Sequence, residues 1–444
     1  MTDSVENPSS DGTIRTHIDS MTHEGRGVAH VEGKAVFIDG VLPGETVTYR
    51  PLRRRRRYDE GRVESVLEPS PDRVSPRCPH FGVCGGCVLQ HMDPRAQVQA
   101  KAQVLMDNLG RIGEVTPRAV LPALTGPAWG YRRKARLGVK HVPKKGGVLV
   151  GFRERGSPYL AVLEGCPVLH PAVGERILAL RELLTGLRAR DRIPQIEVGV
   201  DDEDQVALVF RHLDPLGDAD RDRLRAFGEE AGLQIWLQPK GPDSITPLWP
   251  EHPPALCSTH PEEGLEIPFS PVDFIQVNRD VNRKMVPQAM ELLQVEEGHQ
   301  VLDLFCGLGN FTLPLARRAA RVTGVEGDAA MVERARANAV QNGIGNTRYF
   351  TADLTADPTG AAWLEGPVDR VLLDPPRSGA REMLAPVARL GPRRMVYVSC
   401  NPATLARDAG ELVHRHGYRL EAAGVMDMFP HTAHVESMAV FTRE

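Results

Sequence analysis

Two phrases late in the sequence put reactive side chains where a strand gives way to a loop: Leu372-Leu373-Asp374-Pro375-Pro376-Arg377 and Tyr397-Val398-Ser399-Cys400-Asn401-Pro402. The prolines after Asp374 make a stiff turn that holds its carboxylate at the strand's rim. A lone cysteine after a strand is ordinarily a small buried apolar residue, so Cys400 needs a chemical reason to be singled out. Carbon 5 of a pyrimidine supplies one, because it is a poor nucleophile until something adds at carbon 6, and a thiolate adds well. The enolate so formed can take a methyl group, after which a base must remove the carbon 5 proton before the thiolate leaves. Those steps require a cysteine and a carboxylate. Phe429-Pro430-His431-Thr432-Ala433-His434-Val435-Glu436 offers Glu436 at the start of the last strand, with His431 and His434 as competing bases. Histidines at a strand entrance more often hold loop structure.

A third phrase, Val301-Leu302-Asp303-Leu304-Phe305-Cys306-Gly307-Leu308-Gly309-Asn310-Phe311, reads as a buried parallel strand, a turn with two glycines, and a helix over 310–318. Gly307 and Gly309 let a ligand lie against bare main chain, and Asp303 is expected to end the strand facing that ligand. Arg321-Val322-Thr323-Gly324-Val325-Glu326 brings another carboxylate to a strand end about 20 residues on, where it can take both hydroxyls of a ribose. No third glycine follows Gly309, so the spacing departs from the dinucleotide fingerprint. S-adenosylmethionine, a nucleoside with no phosphate to cradle, fits better. Ligands of open α/β sheets bind beyond the carboxyl ends of the strands, so Asp303, Glu326, Asp353, Asp374 and Cys400 are expected to converge on one crevice.

The elements that must position these groups are regular from residue 270 onward. Strands are expected at 299–304, 321–325, 346–350, 368–373, 393–398, 417–424 and 437–442, alternating with helices, the first of them capped near Asn278. That alternation predicts a doubly wound parallel sheet, with the two final strands forming an antiparallel edge. Upstream, 195–200, 205–211 and 233–237 read as strands and 218–231 as a helix, with no chemical motif among them. Short glycine-punctuated strands over 13–68 predict a small β-barrel. Five arginines at 53–57 interrupt it; a solvated loop is the bland reading, and on an oligonucleotide-binding barrel clustered guanidinium groups suit phosphates. Between 131 and 163, Arg132, Arg133, Lys134, Arg136, Lys140, Lys144, Lys145, Arg153 and Arg155 are opposed only by Glu154, which predicts a sheet with one basic, RNA-binding face.

Cys78-Pro79-His80-Phe81-Gly82-Val83-Cys84-Gly85-Gly86-Cys87 places three thiols within ten residues, and Cys166-Pro167 follows far downstream. Seven cysteines, with no apolar leader segment, argue for metal or catalytic use over a disulfide framework. Spacing alone leaves zinc and an iron-sulfur cluster both open. The 444 residues, 41% hydrophobic, are enough for several packed cores, and a net charge of −4 confines any nucleic-acid footprint to local patches. No run approaches the roughly 20 apolar residues of a membrane span, so a cytoplasmic protein without a membrane role is expected.

Taken together, Asp303 to Phe311, Asp374 to Arg377, Ser399 to Pro402 and Pro430 to Glu436 resemble the motifs of the RNA uracil-5-methyltransferases. Val41-Leu42-Pro43-Gly44-Glu45 and its surroundings resemble a TRAM domain, and Cys-x5-Cys-Gly-Gly-Cys with a distant Cys-Pro resembles that family's 4Fe-4S site. The likeness covers nearly the whole chain and is nearest to the bacterial 23S ribosomal RNA branch. It implies a tail over 1–11, expected disordered, then a TRAM (OB-like) barrel over 12–70 and a central mixed α+β domain with the cluster over 71–269. A Rossmann-like class I methyltransferase domain over 270–444 completes this α/β protein. It implies Cys400 as nucleophile and Glu436 as proton acceptor. Gln276, Phe305, Asn310, Glu326, Asp353 and Asp374 are implied around S-adenosylmethionine and the target base, and Cys78, Cys84, Cys87 and Cys166 as cluster ligands, Cys257 being left over. The implied partner is 23S ribosomal RNA, with no obligate protein partner. Transfer-RNA T-loop methylation and a non-catalytic ribosome-assembly role are the rival expectations; the barrel and the cysteines speak against the first, the complete set of strand-end residues against the second.

Overall fold

The computed structural model describes residues 12–443, so the tail expected over 1–11 lies outside the described residues. The chain divides into two compact units. One takes the described residues through Lys101 with Phe152–Ala161 and Phe429–His434; the other takes Ala102–Gly151, Val162–Met428 and the residues from Val435 onward. Among the described residues no helix is long and apolar enough to cross a membrane.

In the first unit, six strands between Ile14 and Glu68 form one sheet, with Thr46–Arg54 paired to Ile14–His17 on one side and Tyr58–Glu68 on the other. Alternate residues point inward, and Ile18, Val36, Ile38, Val47 and Tyr49 make its core. The five arginines at 53–57 are all exposed. Glu45 is fully buried, accepts from the backbone of Leu42 (2.8 Å) and Ser70 (3.2 Å), and pairs with Arg73, so one carboxylate ties the sheet to the loop that follows it. Downstream, Gly85 N donates to Arg153 O and Arg155 N to Val83 O, each at 2.8 Å, and the Arg155 guanidinium reaches Asp39 at 2.8 Å. The segment Phe152–Ala161 therefore fastens the cysteine loop to the barrel strands.

The second unit carries a mixed six-stranded sheet that includes Lys134–Val142, Gln195–Val200, Val206–Arg211 and Gln234–Gln238, backed by the helix Asp218–Ala231. It also carries a two-stranded hairpin, Leu256–His260 with Leu265–Phe269. The remaining sheet holds the crevice. Its strands are β1 (Gln300–Leu304), β2 (Arg321–Glu326), β3 (Thr347–Thr351), β4 (Arg370–Leu373), β5 (Arg394–Ser399), β6 (Arg419–Met426) and β7 (Glu436–Thr442). They lie in the order β3-β2-β1-β4-β5-β7-β6, with the short strand Ala119–Val120 added beside β6. Helix α1 (Arg279–Leu293) leads into β1, and α2 (Thr312–Ala316), α3 (Ala329–Gln341), α4 (Arg381–Leu390) and α5 (Pro402–His416) lie between later strands. Asn278 caps α1, its side chain accepting from Val281 N at 3.4 Å.

One expectation needs correction. The helix after the glycine turn covers only Thr312–Ala316, because residues 310–311 stay in the loop. The final two strands pair antiparallel at one end of the sheet as expected; β7 alone is reversed, and it is inserted between β5 and β6. Ser437, Met438, Ala439, Val440 and Phe441 are each at most 1% exposed. A strand apolar on both faces is buried most completely with neighbours on both sides, and only the two-residue strand Ala119–Val120 lies beyond β6.

Candidate active site

Three residues of the glycine turn adopt left-handed backbone: Phe305 (φ 65°), Gly307 (φ 54°) and Gly309 (φ 98°). Glycine does this freely, whereas a phenylalanine there is held against a cost of roughly 1–2 kcal/mol, a mark of a loop shaped for a ligand. Glu326, at the end of β2, holds the turn in place: one carboxylate oxygen accepts from Gly307 N (3.1 Å), the other from Gly327 N (2.7 Å) and Asp328 N (3.2 Å). Below the turn, a Cβ at Gly324 would lie 2.9 Å from the Tyr349 ring and 3.0 Å from Cys306 Sγ, so only glycine lets β2 pass there. Beside the turn opens a cleft lined by both apolar and polar side chains, the composition of a small-molecule site.

Gln276, Phe305, Asn310 and Asp374 line this cleft. Burial, with the negative charge of Glu326 nearby, pushes the Asp374 carboxyl up to about 7. Asp353 stands exposed beyond β3, its carboxylate accepting from Thr355 N (2.9 Å) and Thr355 Oγ1 (2.6 Å). Asp303 does not face a ligand as expected; it is fully buried beneath the turn, where Thr312 Oγ1 donates to it at 2.6 Å. Its other oxygen has no hydrogen-bond partner, and burial raises its carboxyl to about 7, so the acid stays partly protonated at neutral pH. The Asn310 side chain is also engaged internally: its Oδ1 accepts from Asn282 Nδ2 and His260 Nε2, both at 3.1 Å, and its Nδ2 donates to Asn282 Oδ1 at 3.0 Å. Asn282 lies one helical turn beyond the cap Asn278, a spacing legible in the sequence; nothing local singles out His260.

Cys400 follows β5 directly, and Glu436 opens β7. The last rung between these strands is Ser399↔Ser437, so Cys400 and Glu436 occupy the next opposed positions. The thiol is pushed up to about 11 by burial and by the negative charges of Glu436 and Asp374, against the opposing pull of the Arg377 guanidinium. Asn401 caps α5 through Ala403 N (3.1 Å), while its Nδ2 donates to Arg377 O (3.1 Å). The buried Asp408 carboxylate accepts from Ala380 N (2.9 Å), Tyr397 Oη (2.7 Å) and Arg407 Nε (2.8 Å). These bonds fix the loop over 374–380 to the segment that carries Cys400. Sequence alone did not single out Asp408, which reads as an ordinary polar residue within a helix.

The other expected groups lie elsewhere. His431 is buried in the first unit; Gln97 accepts from its backbone N–H at 2.8 Å and contacts its Nδ1 at 3.2 Å, a loop-holding arrangement. His434 packs its ring against Phe429, with centroids 5.3 Å apart. Cys78, Cys84, Cys87 and Cys166 are half-buried and none is in a disulfide. Gly86 N points at Cys84 Sγ at 3.4 Å, a donor suited to a thiolate ligand. Among the described residues no three or more metal-ligating side chains are gathered closely enough to hold a metal ion. The single basic face expected over 131–163 is corrected. Arg133 is buried and paired with Asp204 (2.7 Å), while the half-buried Lys134 and Arg155 pair with Glu197 (3.0 Å) and Asp39 (2.8 Å). Arg136, Lys140, Lys144, Lys145 and Arg153 remain exposed, Arg153 in the first unit and the others in the second.

Comparison with known proteins agrees with this geometry. A family model described as tRNA (Uracil-5-)-methyltransferase matches residues 268–444, and a TRAM domain model matches 13–62. The chain is 58% identical to a 23S rRNA (uracil(1939)-C(5))-methyltransferase, RlmD, of Alkalilimnicola ehrlichii, over 96% of each chain. It is 55% identical to the protein of the same name from Nitrosococcus oceani, over 98% of this chain and 97% of that one. Among solved structures, Pyrococcus abyssi tRNA (uracil-54, C5)-methyltransferase in complex with S-adenosyl-L-homocysteine superposes with a TM-score of 0.72, at 24% identity, over 96% of this chain and 100% of that one. At that identity the likeness speaks to the fold.

Proposed function

The chain belongs to the family of 23S rRNA (uracil-C5)-methyltransferases, and from that premise we propose how its own residues carry out the reaction. It methylates carbon 5 of a uridine in 23S ribosomal RNA with S-adenosylmethionine as donor. The target is the uridine that corresponds to the one named for its relatives. The observation that carries the catalytic reading is the opposition of Cys400 and Glu436 past the last rung of β5 and β7.

The target base must leave its stack to reach this crevice. Cys400 Sγ, once deprotonated, bonds to carbon 6, and the electrons of the carbon 5–carbon 6 double bond move toward the carbonyl as an enolate. Carbon 5 then takes the methyl group from the sulfonium of S-adenosylmethionine held along the glycine turn; the sulfur–methyl bond breaks and S-adenosylhomocysteine is left. Glu436 removes the carbon 5 proton, the double bond re-forms, and Cys400 departs as the thiolate. Gln276, Phe305, Asn310, Glu326 and Asp374 surround donor and base, Glu326 as ribose partner. Asp353 has a place at the adenosine end, beyond β3; using it there requires its carboxylate to give up Thr355.

The proposal divides labour as barrel (12–70), central domain (71–269) and catalytic domain (270–444). RNA phosphates meet the exposed arginines at 53–57 and the exposed lysines of the central sheet. Cys78, Cys84, Cys87 and Cys166 would hold a 4Fe-4S cluster, a reading supported by three thiols in ten residues and the Gly86 N–H at Cys84. Methyl transfer moves no net electrons, so the cluster's work is structural. A ribosomal substrate puts the enzyme in the cytoplasm. The deciding experiment incubates the purified protein with labelled S-adenosylmethionine and separated ribosomal and transfer RNA. Label at carbon 5 of a uridine in 23S RNA is expected; label in transfer RNA alone would overturn the assignment.

A further inference from the structure

The hairpin Leu256–His260 with Leu265–Phe269 lies outside the parallel sheet, yet its Ser258, Ile267 and Phe269 line the cofactor cleft opposite the glycine turn. Ser258 and His260 are two apart on one strand and so share a face, which turns His260 toward the same interior; it is 2% exposed. There its Nε2 lies 3.1 Å from Asn310 Oδ1, an atom that also accepts from Asn282 Nδ2 at 3.1 Å. With that amide orientation Nε2 must be the donor, which fixes the imidazole tautomer. Asn310 Nδ2 returns a bond to Asn282 Oδ1 at 3.0 Å, so two asparagines and one imidazole form a closed buried set. Other bonds hold the hairpin's outer side: Asn342 pairs with the backbone of Glu266, and Thr259 N donates to Asp202 at 2.9 Å. The His260 bond joins the hairpin to the cofactor turn directly; Asn338 Nδ2 also bridges the two, 3.2 Å from Leu308 O and 3.4 Å from Pro268 O.

We propose that His260 is a positioning residue for the methyl-donor site: through the Asn310 amide, braced by Asn282, it latches the hairpin onto the glycine turn and so preforms both walls of the cofactor cleft. The proposal rests on the reading of that cleft as the S-adenosylmethionine site. Burial also lowers the basicity of the imidazole, which favours its neutral form.

Three variants of the full-length protein test this by calorimetry with S-adenosylhomocysteine and by steady-state methylation of 23S RNA. His260→Phe fills the same space without a donor; it should weaken S-adenosylhomocysteine binding and raise KM for S-adenosylmethionine, each by about tenfold. kcat at saturating donor and KM for RNA should stay within about twofold of the parent values. His260→Gln restores a donor and should recover most of the affinity. If His260→Phe does not fold, Asn282→Ala takes its place, with weaker binding and faster amide exchange over 307–311 expected. Unchanged affinity in the donor-less variants, or equal losses in the phenylalanine and glutamine variants, overturns the latch. Failure of the parent protein to bind S-adenosylhomocysteine would instead count against the cleft's assignment.

Discussion

Cys400 and Glu436 stand opposite each other one position beyond the Ser399↔Ser437 rung, on antiparallel strands that share a buried edge. Side chains so opposed have Cβ atoms about 5 Å apart, close enough for the thiol and the carboxylate to reach the adjacent carbons 6 and 5 of one pyrimidine ring. The pairing separates their tasks. Cys400→Ala should bind both ligands, form no covalent RNA adduct and give no 5-methyluridine. Glu436→Gln should allow addition and methyl transfer but not proton removal. It should accumulate a methylated adduct that survives denaturing electrophoresis, with turnover reduced roughly 10²–10⁴-fold. RNA carrying 5-fluorouridine should trap the unmodified enzyme likewise. Normal turnover by the glutamine variant would move the base elsewhere.

The thiol of Cys400 is held up near 11 by burial, Glu436 and Asp374. Below that value its thiolate fraction grows about tenfold per pH unit, so iodoacetamide labelling of Cys400 in the RNA-free enzyme should climb steadily from pH 7 to pH 10 without a plateau. Glu436→Gln removes one of the charges that oppose ionisation and should speed labelling at pH 8 by roughly tenfold. Peptide mapping by mass spectrometry reads both. A plateau below pH 9 would mean that the thiol is already activated in the free enzyme.

Asp303 is an acid whose folded pKa, about 7, lies above its ordinary value of 3.8. The folded state therefore holds a proton that the unfolded chain releases, and this contribution, complete below pH 4, is lost as the pH rises through 7. Asp303→Asn keeps an acceptor for Thr312 and removes the ionisation. Its melting temperature should gain on the parent's between pH 5 and pH 8, by about 5 °C. Parallel melting profiles across that interval would contradict the assigned shift.

The exposed arginines at 53–57 should govern RNA affinity without choosing the base. Phosphate contacts respond to salt with a slope of about 0.9 per contact on a duplex and about 0.7 on a single strand. Replacing the run with glutamine should raise KM for RNA, flatten the salt dependence by two to three such contacts, and leave S-adenosylmethionine affinity alone. RNA affinity unaltered at several salt concentrations would make the run a solvated loop.

Anaerobically purified protein should be brown, with iron and sulfide in nearly equal amounts. Replacing Cys84 should lower folding yield or RNA affinity before it touches the chemical step. Zinc at one equivalent, without iron, is the contrary result.

Local chemistry was enough to place most of the elements. The helix Asp218–Ala231 and the strand Gln195–Val200 fall where periodicity put them, and Asn278 caps its helix as its position before an amphipathic run required. Strand ends bearing Glu326, Asp374 and Cys400 were equally legible, since apolar runs closing on a polar residue and a turn are local patterns. What the tertiary structure decided depends on partners dozens of residues or more away. β7 could have lain at the edge; its insertion beside β5 is what sets Glu436 against Cys400. Arg133 and Lys134 read as members of a basic face until Asp204, from a turn, and Glu197, from a neighbouring strand, arrive to neutralise them. Asp303 and Glu326 both end strands, yet one sinks beneath the turn and the other rims it, because the path of the loop over each strand, and not residue type, determines what remains open to a ligand.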